Sequence, residues 1–195
     1  MSKRVGLMVG RFQPLHDGHC KIINKMIQDC ETAIVCLGSA QKSRELHDPW
    51  TVEERMQMIK NVYGAYNNKG EYVGCRVKIV PLNDLGAANP EQWTDYIFEK
   101  LAKLGLPEPM DYYTGSYQDS LWYNKRFSVD WGDDNTTKHL HILDRTLGLT
   151  TSATEIRGFL SLRSLEWKKY IPAVNHSLVE STYPEEFKVP LNEQS

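Results

Sequence analysis

The sequence predicts an α/β fold: a doubly wound, parallel, five-stranded sheet with helices on both faces and a small C-terminal helical region. Three observations predict it. Short apolar runs alternate with stretches of helical periodicity along the chain. Capping boxes open two of the helical stretches, at Thr51-x-x-Glu54 and Ser152-x-x-Glu155. The polar and glycine-bearing turns mostly follow strands, so a parallel, Rossmann-like topology gathers them on one sheet edge.

Val5 to Val9 is a nearly continuous apolar run, as in a strand buried on both faces. Ile22, Ile23, Met26, Ile27 and Cys30 then form a helical stripe. Thr32 to Leu37 reads as a second buried strand ending at Gly38-Ser39, and the helix opened by Thr51 runs to Gly64 with Met56, Ile59 and Tyr63 on its apolar side. Arg76 to Leu82 is the third strand. Pro90 starts a helix whose Trp93, Ile97, Leu101 and Leu104 share a face and which Gly105 stops. Asp111 to Thr114 and His139 to Leu143 complete the strands. The helix capped by Ser152 reaches about Leu162, residues 165–180 add one or two turns broken at Pro172, and the last dozen residues read as irregular. The aromatic and charged stretch 117–138, with Trp122, Tyr123, Trp131 and Asp133-Asp134, reads more readily as an ordinary surface insertion than as a specificity loop or a subunit contact.

With 195 residues, 41% hydrophobic and 25% charged, the chain has the size and composition of one globular domain. A net charge of -2 supplies no electrostatic reason to expect a nucleic-acid partner. No apolar stretch approaches the ~20 residues that span a bilayer, and Arg11 interrupts the first apolar run too early for a signal peptide. Cys20, Cys30, Cys36 and Cys75 lack the spacing of a zinc site or a disulfide framework, so free thiols and a cytoplasmic location are expected.

The residues that carry chemistry fall in two segments. Gly10-Arg11-Phe12-Gln13-Pro14-Leu15-His16-Asp17-Gly18-His19 lies between the first strand and the first helix, where backbone N–H groups approach a phosphate closely. His16 and His19 add donors aimed at the same anion; a metal role would need an acidic or thiol cluster that the neighbourhood lacks. Ser152-Ala153-Thr154-Glu155-Ile156-Arg157 is at its plainest a capped helix start with a solvated arginine. Its first-turn N–H groups, its two hydroxyls and the guanidinium also suit an anion.

Together these segments resemble the H-x-G-H and S-x-T-x-x-R motifs of the nucleotidyltransferase superfamily. Gly10-Arg11-Phe12-Gln13-Pro14, Gly38-Ser39-Ala40-Gln41, Asp48-Pro49-Trp50-Thr51 and Glu54-Arg55 narrow the resemblance to nicotinamide-nucleotide adenylyltransferases of the archaeal type, over about residues 4–175. Leu15, Ala153 and His47 depart from that pattern. The resemblance implies residues 1–180 as a nucleotidyltransferase domain including C-terminal helices, and 181–195 as an irregular tail. No Walker A loop and no acidic hydrolase box is present, which suits a stand-alone transferase.

The implied reaction is NMN + ATP → NAD + pyrophosphate by direct attack of the NMN phosphate on the α-phosphorus. His16, His19, Arg157 and Arg11 would be catalytic. ATP would be held by Gly10, Arg11, Phe12, Gln13, His16, Gly18, His19, Gly115, Ser116, Ser152, Thr154 and Arg157. Arg11, Ser39, Asn83, Asp84 and Trp93 would meet NMN, and Lys42 and Arg44 would add charge or be merely solvated. Trp93 is equally readable as the first core residue of its helix. Mg2+ is expected to arrive with ATP, on no dedicated acidic cage, and a homo-oligomer is implied. The competing readings are another small-molecule nucleotidyltransferase, for pantetheine phosphate or cytidylyl transfer, and a nucleotide sensor without turnover.

Overall fold

In the computed structural model, which describes residues 4–128, 137–143 and 151–190, the first half of the chain runs β1 (Val5–Gly10), α1 (Asp17–Asp29), β2 (Thr32–Leu37) and α2 (Val52–Tyr63). A small hairpin, β3 (Gly64–Tyr66) and β4 (Tyr72–Cys75), precedes β5 (Val77–Pro81) and α3 (Pro90–Lys103). The second half holds β6 (Asp111–Thr114), α4 (Tyr117–Ser120), β7 (His139–Ile142), α5 (Ala153–Ser161) and α6 (His176–Thr182). Turns of 3₁₀ helix cover Leu165–Lys169, Ala173–Asn175 and Glu185–Phe187.

The five main strands are all parallel, in the order β5-β2-β1-β6-β7. From β1 the chain winds outward to β2 and β5, then returns to β6 on the other side of β1. The switch point therefore lies between β1 and β6, where the two halves of such a sheet diverge and leave a crevice at the carboxyl ends.

Period-two alternation divides the core. Val5 and Leu7, Ile34 and Cys36, Val80 and Tyr112 pack against Ile97 and Leu101 of α3 and against Tyr123 and Phe127. Met8, Ala33, Val35, Leu37 and Tyr113 face the opposite layer, built from α1, α2, α5 and the C-terminal turns. The α3 stripe is shorter than its spacing predicts. Ile97 and Leu101 are buried, but Leu104 lies past the last helical turn and is 53% exposed, Gly105 having taken the left-handed conformation at φ +67°. On α2, Met58, Ile59 and Tyr63 are buried whereas Met56 is only partly covered.

The turn of the β3–β4 hairpin is set by Asn67, whose side chain accepts the N–H groups of Lys69 and Glu71. Residues beyond α6 pack back on α5: the Ser161 hydroxyl donates to Phe187 O at 2.7 Å and Val189 N–H to Ser161 O at 2.8 Å. Among the described residues no helix is long and apolar enough to cross a membrane.

Close approach of α1 to β1 depends on Gly6. A Cβ there would lie 2.4 Å from Met26 Cγ and 3.0 Å from Cys30 Sγ. Gly6→Ala is expected to lose about 1–3 kcal/mol of stability in urea denaturation, the usual cost of overpacking a filled core. An unchanged midpoint would show that Met26 makes room.

Candidate functional site

The cleft at the switch point has a volume of about 690 Å3. Gly10 and Arg11 reach it from β1, Ser39 and Lys42 from β2, Asp84 and Gly86 from the loop after β5, and Trp93 from α3. Tyr112, Asp119, Trp122 and Tyr123 close the far side. The volume is within the range of small-molecule sites. A separate cavity of about 500 Å3 beside α3 is lined by Lys125, Arg126 and Lys138, each already paired with a carboxylate of Glu91, Asp95 or Glu108.

The turn after β1 is shaped by its own side chains. Phe12 sits in the left-handed region at φ +52° with its ring buried in the core. Gln13 is buried too, and its amide is tied to the backbone of Trp50, Nε2 to O and N–H to Oε1, both at 3.0 Å. Any part these two side chains play for a ligand is thus in shaping the backbone.

His16 is the N-cap of α1: its Nδ1 accepts the Gly18 N–H at 3.1 Å, and His19 Nδ1 accepts the His16 N–H at 3.4 Å. The rings stack 3.8 Å apart, with His19 also 4.6 Å from Phe12. A neutral imidazole that accepts at Nδ1 carries its proton on Nε2, so both rings become Nε2 donors. Gly18 is required for this: a Cβ would come within 2.9 Å of the His16 ring.

The two predicted segments meet. Arg157 is 6% exposed and donates from Nη1 to Gln13 O at 2.8 Å and from Nη2 to Thr154 Oγ1 at 3.2 Å. Burial, then the nearby charge of Arg11, lower its pKa, but a guanidinium stays cationic at any working pH. Ser152 caps α5, and its N–H and hydroxyl both donate to Glu155, as does the Thr151 hydroxyl. Those bonds hold the Glu155 carboxyl below its ordinary range.

At the other wall, burial alone would raise the Asp84 carboxyl. Bonds from Lys42 at 2.9 Å and from the Ser39 hydroxyl at 2.9 Å outweigh it, and the group lies below its ordinary range. Arg44 instead ties Pro49 O, Thr182 O and Glu54 together away from the cleft, and His47 is exposed. Asn83 is exposed and does not line the cleft; Gly115 and Ser116 lie just past β6, with Ser116 capping α4.

Two features escape the sequence reading. The stretch 117–128 is not a surface insertion, since Tyr123 and Phe127 are buried and Asp119, Trp122 and Tyr123 wall the cleft; Trp131 and Asp133-Asp134 lie outside the described residues. Trp93 is both cleft wall and anchor, its indole N–H donating to the Tyr123 hydroxyl at 3.0 Å. Arg55 is the second. It has no exposed surface and donates to Arg11 O at 2.8 Å, Gly38 O at 2.9 Å and Ser39 O at 3.1 Å, binding the carboxyl ends of β1 and β2 together.

Among the described residues no cluster of three or more His, Cys, Asp or Glu is placed to hold a metal ion. The donors gathered here are cationic, so a divalent cation fits only as the companion of a polyphosphate.

Known proteins resemble this chain in sequence and in fold. The Cytidylyltransferase-like family model matches residues 7–97. A nicotinamide-nucleotide adenylyltransferase of Picrophilus torridus is 31% identical over 165 residues, 85% of this chain and 83% of that protein. Another, from Thermococcus onnurineus, is 48% identical over 85 residues, 44% of this chain and 42% of that protein. A solved bifunctional NMN adenylyltransferase/ADP ribose pyrophosphatase of Francisella tularensis superposes with a TM-score of 0.69 at 20% identity. That match covers 95% of this chain and 51% of the solved one, so the likeness is one of fold over about half the larger protein.

Proposed function

Because the chain belongs to the nicotinamide-nucleotide adenylyltransferase family, we propose that it transfers the adenylyl group of ATP to nicotinamide mononucleotide (NMN), giving NAD and pyrophosphate. The observation that carries the reading is the contact of Arg157 with the Gln13 carbonyl, which joins the start of α5 to the histidine turn and makes one cationic rim beside the cleft.

The reaction is an in-line displacement: an NMN phosphate oxygen bonds to the α-phosphorus as the bond to the bridging oxygen of pyrophosphate breaks. The nucleophile is already anionic, so no general base is required, and catalysis rests on alignment and charge stabilisation. His16 and His19 would donate from Nε2 to the α- and β-phosphates. Arg157, Ser152 and Thr154 would hold the β- and γ-phosphates, with Ser152 exchanging Glu155 for the ligand. Arg11 reaches phosphate from the cleft mouth. Gly115 and Ser116 would pass close to the adenosine. Mg2+ bound with ATP would neutralise charge on the phosphates.

NMN would occupy the cleft, with Trp93 against the cationic nicotinamide ring and Ser39 and Asp84 near its polar groups. Tyr123→Phe keeps the stack on Tyr112, 3.7 Å between centroids, but releases the Trp93 indole. It is expected to raise the KM for NMN about fivefold, the value of one net hydrogen bond, with the KM for ATP unchanged. Equal changes in both constants would place Trp93 elsewhere in the site.

The direct test is incubation with ATP, Mg2+ and either NMN or its deamidated acid, with dinucleotide and pyrophosphate both measured. Equimolar appearance of the two products is expected. Nucleotide binding with no pyrophosphate release would make the protein a sensor, and product formed only with a pantetheine phosphate or a CTP-dependent acceptor would move it to another transferase class.

A further inference from the structure

Asp48 has no part in the steps above, yet it is the buried acid nearest the cationic rim. It is 3% exposed, and its Oδ1 has no hydrogen-bond partner among the described residues. Its backbone is clamped in a small loop by mutual bonds with Glu45, N–H to O in both directions at 3.0 and 3.3 Å. A buried carboxylate left short of bonds is unfavourable unless positive charge surrounds it.

Positive charge does surround it. Arg11 Nη1 lies 3.9 Å from Oδ2. Asp48 favours the cationic forms of Arg55 and Arg157, whereas Arg11 opposes them. Asp48 therefore offsets repulsion at both Arg55 and Arg157, at Arg55 together with Glu53 and Asp84. At 3.9 Å the Arg11 pair has Coulomb attraction without a directed hydrogen bond. The Arg11 side chain is 55% exposed, so it can leave at little cost.

We propose that Asp48 is a positioning residue, an internal counter-ion that keeps Arg11 at the cleft mouth and competes with phosphate for it, lowering polyphosphate affinity so that pyrophosphate departs. This rests on the reading of the site as one that takes phosphates. It predicts an unusual sign: deleting an acid at the site tightens anion binding, whereas damage to a structural residue loosens it.

The experiment is calorimetric titration of the whole protein with inorganic pyrophosphate and Mg2+ at low salt. Asp48→Asn is expected to bind roughly twofold to fivefold more tightly, as befits release of a half-exposed ion pair, and the gain is expected to vanish when Arg11→Ala is also present. Unchanged or weaker binding by folded Asp48→Asn overturns the proposal. So does a gain that survives Arg11→Ala, or a parent protein that does not bind pyrophosphate.

Should Asp48→Asn not fold, the parent still answers. Its Arg11 Nε–H resonance, identified by its loss in Arg11→Ala, is expected to shift on adding pyrophosphate, and a stationary signal overturns the idea. Dinucleotide synthesis run in parallel separates the two readings. Tightening without synthesis keeps the counter-ion and removes adenylyl transfer; synthesis without tightening does the reverse.

Discussion

His19→Ala is expected to lower kcat at least a hundredfold while leaving the thermal midpoint within a few degrees of the parent, because one donor to a developing oxyanion is commonly worth ~10²–10³ in rate. The separation of the two effects comes from how α1 is capped. His16 Nδ1 keeps its bond to the Gly18 N–H without His19, and the bond lost, His16 N–H to His19 Nδ1, is long at 3.4 Å. The helix start therefore survives. What goes is the Nε2 donor and the ring stacked at 3.8 Å that holds its neighbour in register. His19→Gln, with an amide donor at similar reach, should restore part of the rate. Single-turnover kinetics distinguish the chemical step from product release. A variant within threefold of the parent would mean that Arg157 and the backbone carry the phosphate charge without this imidazole.

The strands were legible because a sheet covered on both faces demands near-continuous apolar runs, and Thr32–Leu37 and Asp111–Thr114 appear in the structure at their expected bounds. Capping boxes at Thr51 and Ser152 were legible for a local reason, the reciprocal bonds to Glu54 and Glu155. The convergence of turns at the carboxyl ends of the strands followed from topology alone. Long-range pairing is where the reading stops. Nothing local says that the hydroxyl of Tyr123 receives the indole of Trp93 thirty residues earlier, or that the Gln13 side chain serves Trp50. A histidine cap is equally hard to foresee, since N-cap preference points to Ser, Thr, Asp and Asn. Two misses did have signals. The run Asn67-Asn68-Lys69-Gly70 is a turn sequence and marks the β3–β4 hairpin. Arg55 stands three and four residues before Met58 and Ile59, on the apolar side of its helix, where a charge must have a reason to be buried.

That reason leads to the largest expected change in stability. Arg55 donates to the carbonyls of Arg11, Gly38 and Ser39 and also reaches Thr51 O at 3.3 Å, and among the described residues no carboxylate is bonded to it. Burial lowers its pKa but leaves it charged. Removing the guanidinium takes the partner from the carbonyls of Arg11 and Gly38, each costing about 1–3 kcal/mol, whereas Ser39 O keeps the Lys42 N–H and Thr51 O the Arg55 N–H. Arg55→Leu, which keeps helix propensity and apolar volume, is thus expected to lose about 3–5 kcal/mol in urea denaturation. Arg55→Lys keeps the charge but not the planar fork that reaches two loops together, so it should fall between the parent and the leucine variant. The same carbonyls shape the cleft edge at Arg11 and Ser39, the latter held at φ +50°. Any folded Arg55 variant should therefore also show a raised KM for both substrates. A loss under about 1 kcal/mol with unchanged KM would mean that the carboxyl ends of β1 and β2 are held by their own backbone bonds, such as Gly38 N–H to Gly10 O at 2.9 Å.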